Sequence, residues 1–215
     1  MVEGSDGPEL LKRLFPVSRE TEEKLMLYAS LLKKWQKSQN LVSPLTLTHL
    51  WSRHIADSLQ LLELGFSSGP WIDLGSGAGF PGLVLAIAGK GQKNHHVHLV
   101  ESNKGKCAFL AEVIRATQAP ASIYCQRVEN CGDSLPKVKK TITARALAPL
   151  DQLLRLSAPL FTCESIALFP KGRRVEEELL GARRRWQFDY EQLPSKTDPE
   201  GTILRISNVK KIEKG

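Results

Sequence analysis

The stretch Trp71-Ile72-Asp73-Leu74-Gly75-Ser76-Gly77-Ala78-Gly79-Phe80-Pro81-Gly82 decides the fold. A short apolar run ends in an acid, and three glycines follow at every second position. Glycine has no Cβ and tolerates positive φ, so this backbone can turn sharply and approach a ligand closely. The apolar segment 83–88 follows and predicts a buried helix. We therefore predict a strand, a glycine turn and a helix N-terminus, which together form the ligand crevice of an open α/β sheet.

Two classes of cofactor use such a crevice, and the residues around the glycines favour one of them. The spacing of Gly77, Gly79 and Gly82 also fits dinucleotide-binding proteins, in which a pyrophosphate lies on the helix N-terminus. Asp73 would repel a pyrophosphate, whereas it suits the cationic amino end of S-adenosylmethionine. Glu101 ends the next apolar run, where an acid can bind ribose hydroxyls. The residues predicted to hold S-adenosylmethionine are Asp73, Gly75, Gly77, Gly79 and Glu101.

Length and composition describe a globular chain with an excess of basic residues. The 215 residues suffice for one sizeable core, and 41% of them are hydrophobic. The net charge of +7 suggests a polyanionic partner. We find no secretory signal and no apolar run of membrane-spanning length, so we expect a cytoplasmic protein. The four cysteines lack metal-ligand spacing, which predicts reduced thiols and no metal site: Cys107, Cys125, Cys131 and Cys163.

The first 68 residues are predicted to be helical. Apolar residues recur at spacings of three and four in segments that begin near Leu10, after Ser18 and after Pro44. The last of these segments is predicted to continue as one helix to Gly65. We expect residues 1–68 to form a helical cap beside a cofactor domain made of residues 69–215.

From residue 69 onward, predicted strands and helices alternate, as a doubly wound sheet requires. Strand-like runs follow the first strand at about 96–102, 121–126, 141–146 and 165–169. The chain finishes with two more, 187–193 and 202–209, joined by a hairpin loop. We predict an α/β fold with a doubly wound, mostly parallel, seven-stranded sheet and an N-terminal helical extension. This Rossmann-like arrangement with a terminal hairpin is typical of class I S-adenosylmethionine-dependent methyltransferases.

Six short motifs occur in the order in which one protein family has them. They are 40–43 (NLVS), 53–59 (RHIADSL), 73–82 (DLGSGAGFPG), 127–129 (RVE), 145–146 (RA) and 170–172 (PKG). Together they resemble the bacterial enzymes that methylate guanine N7 in 16S ribosomal RNA, first known as glucose-inhibited division protein B. The resemblance extends from about Leu31 to Gly172. It implies S-adenosylmethionine as methyl donor, and 16S ribosomal RNA or a precursor of the small ribosomal subunit as substrate.

The resemblance also implies roles for single residues of the cofactor site. Gly75 and Phe80 belong to the loop that holds the methionine part. Val128 and Glu129 follow the third predicted strand, where the adenine binds. Arg145 is expected to contact the cofactor and the target base, because it follows the fourth predicted strand at the rim where the base arrives.

Arg145 and Lys171 are the predicted catalytic residues, and the reaction asks little of them beyond positioning. Guanine N7 has an in-plane lone pair and no proton at neutral pH, so it can attack the sulfonium methyl group without a general base. Catalysis should then come mostly from holding N7 and the methyl group in reacting geometry. His54 and Asp57 share a helix turn in this motif set. Asp57 could stabilise the cationic product, or the two could form a structural pair.

A basic rim at the strand ends is predicted to bind RNA phosphates. The residues predicted to bind RNA are Arg127, Lys171, Arg173 and Arg174. Two other functions remain open, namely a methyltransferase for small molecules and an RNA-binding module without catalysis. We expect the protein to be a monomer and to have no membrane partner.

Overall fold

A seven-stranded sheet forms the centre of the molecule in a computed structural model that describes residues 6–66 and 68–213. The order of the strands across the sheet is β3-β2-β1-β4-β5-β7-β6. The strands β1 to β5 are parallel, while β7 runs antiparallel to both β5 and β6. The strands are β1 (Pro70–Leu74), β2 (His96–Val100), β3 (Ala121–Tyr124), β4 (Thr141–Ala144), β5 (Ile166–Lys171), β6 (Trp186–Pro194) and β7 (Thr202–Lys211). The predicted α/β fold, including the terminal hairpin, is confirmed.

Helices cover both faces of the sheet. The α-helices are α1 (Glu9–Leu14), α2 (Arg19–Trp35), α3 (Pro44–Leu47), α4 (Asp57–Leu64), α5 (Gly82–Ala88), α6 (Lys104–Thr117), α7 (Leu150–Ser157) and α8 (Val175–Ala182). Ser18 caps α2, because its hydroxyl accepts the Thr21 N–H at 3.1 Å. No helix in the described part of the chain is long and apolar enough to cross a membrane.

The segment predicted as one helix after Pro44 is divided into three. α3 ends at Leu47, a π-helical turn occupies Trp51–Ala56, and α4 follows directly to Leu64. A π-helix closes hydrogen bonds five residues apart, so apolar spacings of three and four cannot reveal it. Such turns are frequent at functional sites.

The predicted fourth strand is shorter than expected because the chain leaves the sheet at its end. β4 stops at Ala144, and Ala146 has a φ of +52°. A residue with a Cβ adopts this left-handed conformation at an energetic cost, which marks a constrained turn. The connection from Arg145 to Pro149 is therefore fixed by its surroundings rather than by strand pairing.

The N-terminal helices and the cofactor domain share one hydrophobic core. Leu25 and Leu32 of α2 lie in the same buried cluster as Leu85 of α5 and Phe109 of α6. A second cluster packs on the opposite face of the sheet and contains residues of α7, α8 and β7. Residues on both sides of the predicted boundary at residue 68 therefore belong to the same hydrophobic core.

Candidate active site

The glycine turn lies at the carboxyl edge of the sheet, between β1 and α5. Gly75, Gly77 and Gly79 have φ values of +66°, +57° and +97°, which residues with a Cβ rarely adopt. The turn is tied to the neighbouring strand, because the Ser76 N–H donates to the Val100 carbonyl at 3.0 Å. A Cβ at Gly77 would meet only the Gly75 carbonyl, at 3.7 Å, so this side of the turn is open.

Asp73 lies beneath this turn rather than on the surface of the crevice. Its side chain is fully buried, the Thr143 hydroxyl donates to Oδ1 at 2.9 Å, and the Gly82 N–H donates to Oδ2 at 3.2 Å. Burial raises the pKa of this carboxyl from 3.8 to about 6. We predicted that Asp73 contacts the amino end of the cofactor directly. Neither oxygen of its buried carboxylate is exposed to make that contact. The carboxylate instead joins β1, β4 and the start of α5.

Glu101 lies beside the glycine turn, as the prediction of a ribose ligand requires. Glu101 follows β2 directly and is 8% exposed. The Gly77 N–H donates to Oε2 at 2.9 Å, and the Asn103 N–H donates to Oε1 at 2.7 Å. The carboxylate therefore has a fixed orientation between the turn and the start of α6.

Val128 and Glu129 lie at the same edge of the sheet as Glu101. They belong to a 3-10 turn, Val128–Asn130, that follows the end of β3 after three residues. β3 pairs with β2, so this turn neighbours the chain that carries Glu101. Val128 is half-buried and Glu129 is exposed. The structure thus brings the residues predicted for the ribose and the adenine to one side of the glycine turn.

Phe80 points away from the crevice and into the shared core. Its ring stacks on Tyr28 of α2 at a centroid distance of 5.2 Å and lies 4.8 Å from the ring of His54. The Tyr28 hydroxyl also donates to the Ala78 carbonyl at 2.5 Å. Phe80 is 5% exposed, so its predicted part in holding the methionine is limited to its backbone. The N-terminal helices therefore hold the glycine turn from behind.

Arg145 is fixed by three acceptors from the π-helical turn and α4. Its Nη1 donates to the Arg53 carbonyl at 2.8 Å and lies 3.4 Å from Asp57 Oδ2, while its Nη2 donates to His54 Nδ1. The guanidinium carbon also lies 5.4 Å from the Phe80 ring centroid. The side chain is 19% exposed, so the guanidinium faces solvent with one edge only.

His54 is a neutral acceptor in this arrangement. Burial, reinforced by the charges of Arg145 and Arg53, lowers its pKa from 6.5 to about 3. Because Nδ1 accepts from Arg145, the ring proton is on Nε2. Nε2 is buried and has no hydrogen-bond partner in the described part of the chain. The imidazole is therefore neutral at pH 7 and can accept from the arginine there.

Asp57 connects Arg145 to the loop of the terminal hairpin. While Oδ2 faces the arginine, Oδ1 accepts from Thr197 Oγ1 at 2.9 Å and from Gln60 Nε2 at 2.8 Å. Gln60 Oε1 in turn accepts the Lys196 N–H at 2.9 Å. Burial raises the pKa of Asp57, and Arg145 opposes this shift. His54 and Asp57, expected as a possible pair, are joined through the guanidinium between them.

The ammonium of Lys171 is paired inside the protein. Its ammonium donates to Glu178 Oε2 at 2.7 Å and to the Ala148 carbonyl at 3.1 Å, and its side chain is 7% exposed. The same Glu178 oxygen accepts the Leu150 N–H at 2.7 Å. We predicted a phosphate contact for Lys171, but its ammonium is buried and bonded to two internal acceptors. A buried charge that leaves such partners loses their compensation for its desolvation. Lys171 instead fixes the connection between β4 and α7.

The remaining predicted RNA contacts are exposed. Arg127 precedes the 3-10 turn after β3, and Arg174 precedes α8. Arg173 forms an ion pair with Glu200 of the hairpin loop. Of these three arginines, two have no ion pair with a described residue, namely Arg127 and Arg174.

An open cleft of about 630 Å³ borders the arginine. Three segments line it: the 144–149 connection, the end of β5 at Lys171, and the hairpin loop near Thr197 and Asp198. Further lining residues are Arg53, Asp57, Arg174 and Glu178. Leu147 forms a wall shared with the glycine turn, because a Cβ at Gly75 would lie 2.6 Å from its Cδ1. Arg145 thus stands between the glycine turn and this cleft.

The sequence matches a family model at residues 21–201, and the description of that family is GidB, rRNA small subunit methyltransferase G. The chain belongs to this family. Ribosomal RNA small subunit methyltransferase G of Methylorubrum populi is 47% identical over 197 residues, which cover 92% of this chain and 93% of that protein. The protein of that name from Parvibaculum lavamentivorans is 48% identical over 208 residues, covering 94% and 92%. The predicted resemblance is confirmed.

Solved structures support the fold. The M. jannaschii TYW2 structure in complex with AdoMet has a TM-score of 0.54 at 14% identity, over 74% of this chain and 76% of that chain. The ribosomal protein L11 methylase from Lactobacillus delbrueckii subsp. bulgaricus has a TM-score of 0.54 at 17% identity, over 72% and 78%. At such identities the likeness shows the class I methyltransferase fold alone.

Several residues of the site escape the sequence motifs. Tyr28 and Gln60 lie on helices that look merely amphipathic, and Glu178 lies in a run of three acids that suggests a solvated face. Their partners are 50, 136 and 7 positions away along the chain. Spacing within a helix could place Tyr28 and Gln60 in the core, but it could not identify those partners.

We expect Asp73→Asn to change the pH dependence of stability. The Asp73 carboxyl has a pKa of about 6 in the folded protein and 3.8 as its ordinary value, so folding favours the protonated form. This contribution to stability is fully present below pH 3.8 and is lost as the pH rises to about 6. Asparagine cannot ionise, yet it can accept from Gly82 and donate to Thr143. Between pH 4 and pH 7 the wild type should lose about 2 kcal/mol more unfolding free energy than the variant in urea denaturation. Parallel pH profiles for the two proteins would contradict this account of Asp73.

Proposed function

We propose that the protein transfers the methyl group of S-adenosylmethionine to N7 of a guanine in 16S ribosomal RNA. The observation that carries the proposal is family membership across residues 21–201. The fold alone would not suffice, since one fold serves many substrates. Relatives named ribosomal RNA small subunit methyltransferase G align over nine-tenths of the chain. We propose the cytoplasm as its location, because ribosomal subunits are assembled there in bacteria.

The crevice fits the proposed methyl donor. The open side of Gly77 leaves room for the methionine part beside the turn. Glu101 offers carboxylate oxygens to the ribose at the end of β2, and Val128 and Glu129 lie where the adenine would extend. S-adenosylmethionine supplies an electrophilic methyl group when bound. The residues of this chain need only orient it toward the cleft.

The cleft on the other side of Leu147 fits the acceptor base. The N7 lone pair forms the new N–C bond while the S–C bond breaks, and the bonding pair stays on the sulfur. The positive charge passes from the sulfonium to the base, and no proton is removed from N7. The protein therefore requires no general base, which agrees with His54: its Nδ1 already accepts from Arg145, and a pKa of about 3 makes it a weak base.

Arg145 is the residue that we propose to orient the base. Three acceptors fix its guanidinium, so its remaining edge can donate to guanine O6, or to a phosphate, with little loss of side-chain freedom. Lys171 acts on this geometry indirectly, because it fixes the connection that carries Leu147 and Pro149. Asp57 does the same from the side of the hairpin loop.

Mapping of the methylated nucleotide by mass tests the proposal. Wild-type protein, S-adenosylmethionine and small-subunit particles or protein-free 16S ribosomal RNA should yield 7-methylguanosine at one position. Arg145→Ala should lower the single-turnover rate at least about a hundredfold, which corresponds to about 2.7 kcal/mol of lost transition-state stabilisation. The reason is that N7 and the methyl group lose their fixed alignment.

Arg205→Ala is the matched control for this variant. Arg205 of β7 also lies 3.4 Å from a carboxylate, that of Glu191, but it does not line the cleft. Its loss should leave the rate within twofold of wild type. Methylation of a small molecule only would favour a small-molecule methyltransferase instead. No methylation at all would favour an RNA-binding module without catalysis. A wild-type rate for Arg145→Ala would remove the arginine from the reacting centre.

Gly77→Ala tests the cofactor crevice. The added Cβ meets nothing closer than 3.7 Å in the protein, so it should occupy the side that the ligand needs. We expect S-adenosylmethionine affinity to fall at least about tenfold in calorimetry, or 1.4 kcal/mol.

Gly91→Ala controls for backbone strain in this test. Gly91 has a φ of +97° and open space around it, in the turn between α5 and β2. Both variants should lose about 1–2 kcal/mol of stability because a Cβ disfavours positive φ. Only Gly77→Ala should bind the cofactor weakly. Equal affinities for the two variants would place the cofactor elsewhere.

A further inference from the structure

The basic rim at the strand ends is smaller than the sequence predicts. Arg145 and Lys171 are held by internal acceptors, and Arg173 is paired with Glu200. Arg127 and Arg174 are the two members whose charges can face a phosphate. Affinity for RNA rests on phosphate contacts, so a substrate as large as ribosomal RNA calls for a further basic surface.

A second group of basic residues lies on the N-terminal side of the molecule. The group, called here the lysine ridge, consists of Lys33, Lys34 and Lys37 at the end of α2 and Lys104 and Lys106 at the start of α6. Lys106 is half-buried, and the other four are exposed. Among the ion pairs within residues 6–66 and 68–213, none involves these five lysines.

The contacts between α2 and α6 bring the two halves of the ridge together. The Trp35 and Phe109 rings meet edge to face with centroids 5.7 Å apart. Gln39 lies beyond the end of α2, and its Nε2 would be 2.9 Å from a Cβ at Gly105. The end of α2 therefore packs antiparallel to the start of α6, so the lysine-bearing ends of the two helices are neighbours.

An acid on α6 agrees with this arrangement. Arg115 and, to a smaller extent, Lys34 lower the pKa of Glu112. The charge of Lys34 therefore reaches α6, in agreement with the contact of its neighbour Trp35 with Phe109. Glu112 forms its ion pair with Arg115, at 2.8 Å, rather than with a lysine of the ridge.

The lysine ridge ends at the cofactor crevice. Asn103 caps α6 by accepting the Lys106 N–H at 3.0 Å, and its own N–H donates to Glu101. Lys104 is therefore three residues from the carboxylate proposed for the ribose. The partial positive charge at the start of α6 adds to the lysine charges there. A polyanion on the ridge would lie beside the mouth of the site where methyl transfer is proposed.

We propose that the lysine ridge binds backbone phosphates of the RNA substrate next to the cofactor crevice. The inference rests on the proposed function, which supplies the polyanion. Lysines suit this task because mobile point charges neutralise phosphates without reading bases. The N-terminal helices then have a second role, since they hold the glycine turn on one side and the substrate on another.

Charge reversal on the ridge tests the proposal. The variant Lys34→Glu, Lys37→Glu, Lys104→Glu is compared with Lys93→Glu, Lys210→Glu, Lys211→Glu, which changes the net charge equally. The three control lysines are exposed and lie before β2 and near the end of β7, away from the carboxyl edge of the sheet. Binding to protein-free 16S ribosomal RNA and to small-subunit particles is measured across a salt series.

The ridge variant should bind both RNA forms at least about tenfold more weakly. Its slope of log affinity against log salt should be shallower by about 2, since each lost phosphate contact removes about 0.7–0.9. The control should keep the wild-type slope, and both should bind S-adenosylmethionine with wild-type affinity.

Three outcomes would overturn the inference or separate it from the proposed function. Equal slopes for the ridge and control variants would overturn it. Weaker binding to particles alone would also overturn it, because the ridge would then contact a ribosomal protein. Failure of the wild type to methylate RNA would refute the proposed function, while the two salt slopes would still decide whether the ridge binds RNA.

Discussion

The clamp of the N-terminal helices on the glycine turn is the constraint on which the site depends. Tyr28 donates to the Ala78 carbonyl and stacks on Phe80, and Phe80 lies against His54. His54 in turn accepts from Arg145. One continuous set of contacts thus extends from α2 through the cofactor turn to the arginine proposed to orient the base. A turn rich in glycine has many alternative conformations, so its shape must come from such contacts.

The charged groups of the site are fixed by burial and pairing rather than by titration. Neutral His54 can accept a hydrogen bond from a guanidinium, whereas an imidazolium would repel it. Asp57 shares its two oxygens between Arg145 and the hairpin loop. An arginine held in this way loses little freedom on binding a base, which suits a reaction that depends on alignment. The hairpin loop, remote in sequence, becomes a wall of the acceptor cleft through the same carboxylate.

Local patterns predict the fold and the positions of the glycine turn and Glu101, while contacts between distant segments decide how the other predicted site residues are placed. Glycine spacing and alternating elements identify the turn, the sheet and Glu101, because these depend on neighbours in sequence. The burial of Asp73, Phe80 and Lys171 depends on partners in other elements. A local sequence pattern cannot identify those partners. The sequence therefore predicts ligand contacts for Asp73 and Lys171, whereas the structure holds both side chains on internal partners. The helical region, expected as a cap, proved to be part of the same core.

The affinity of Tyr28→Phe for S-adenosylmethionine is the measurement that tests this account most directly. The substitution removes one hydroxyl, leaves the ring stack on Phe80, and deprives the buried Ala78 carbonyl of its donor. Loss of a buried hydrogen bond costs about 1–3 kcal/mol, and here the cost falls on the conformation of the turn proposed to bind the cofactor. We expect calorimetry to show affinity about fivefold or more below wild type, in a protein that remains folded by circular dichroism. Wild-type affinity would contradict the claim that the N-terminal helices hold the cofactor turn in its binding shape.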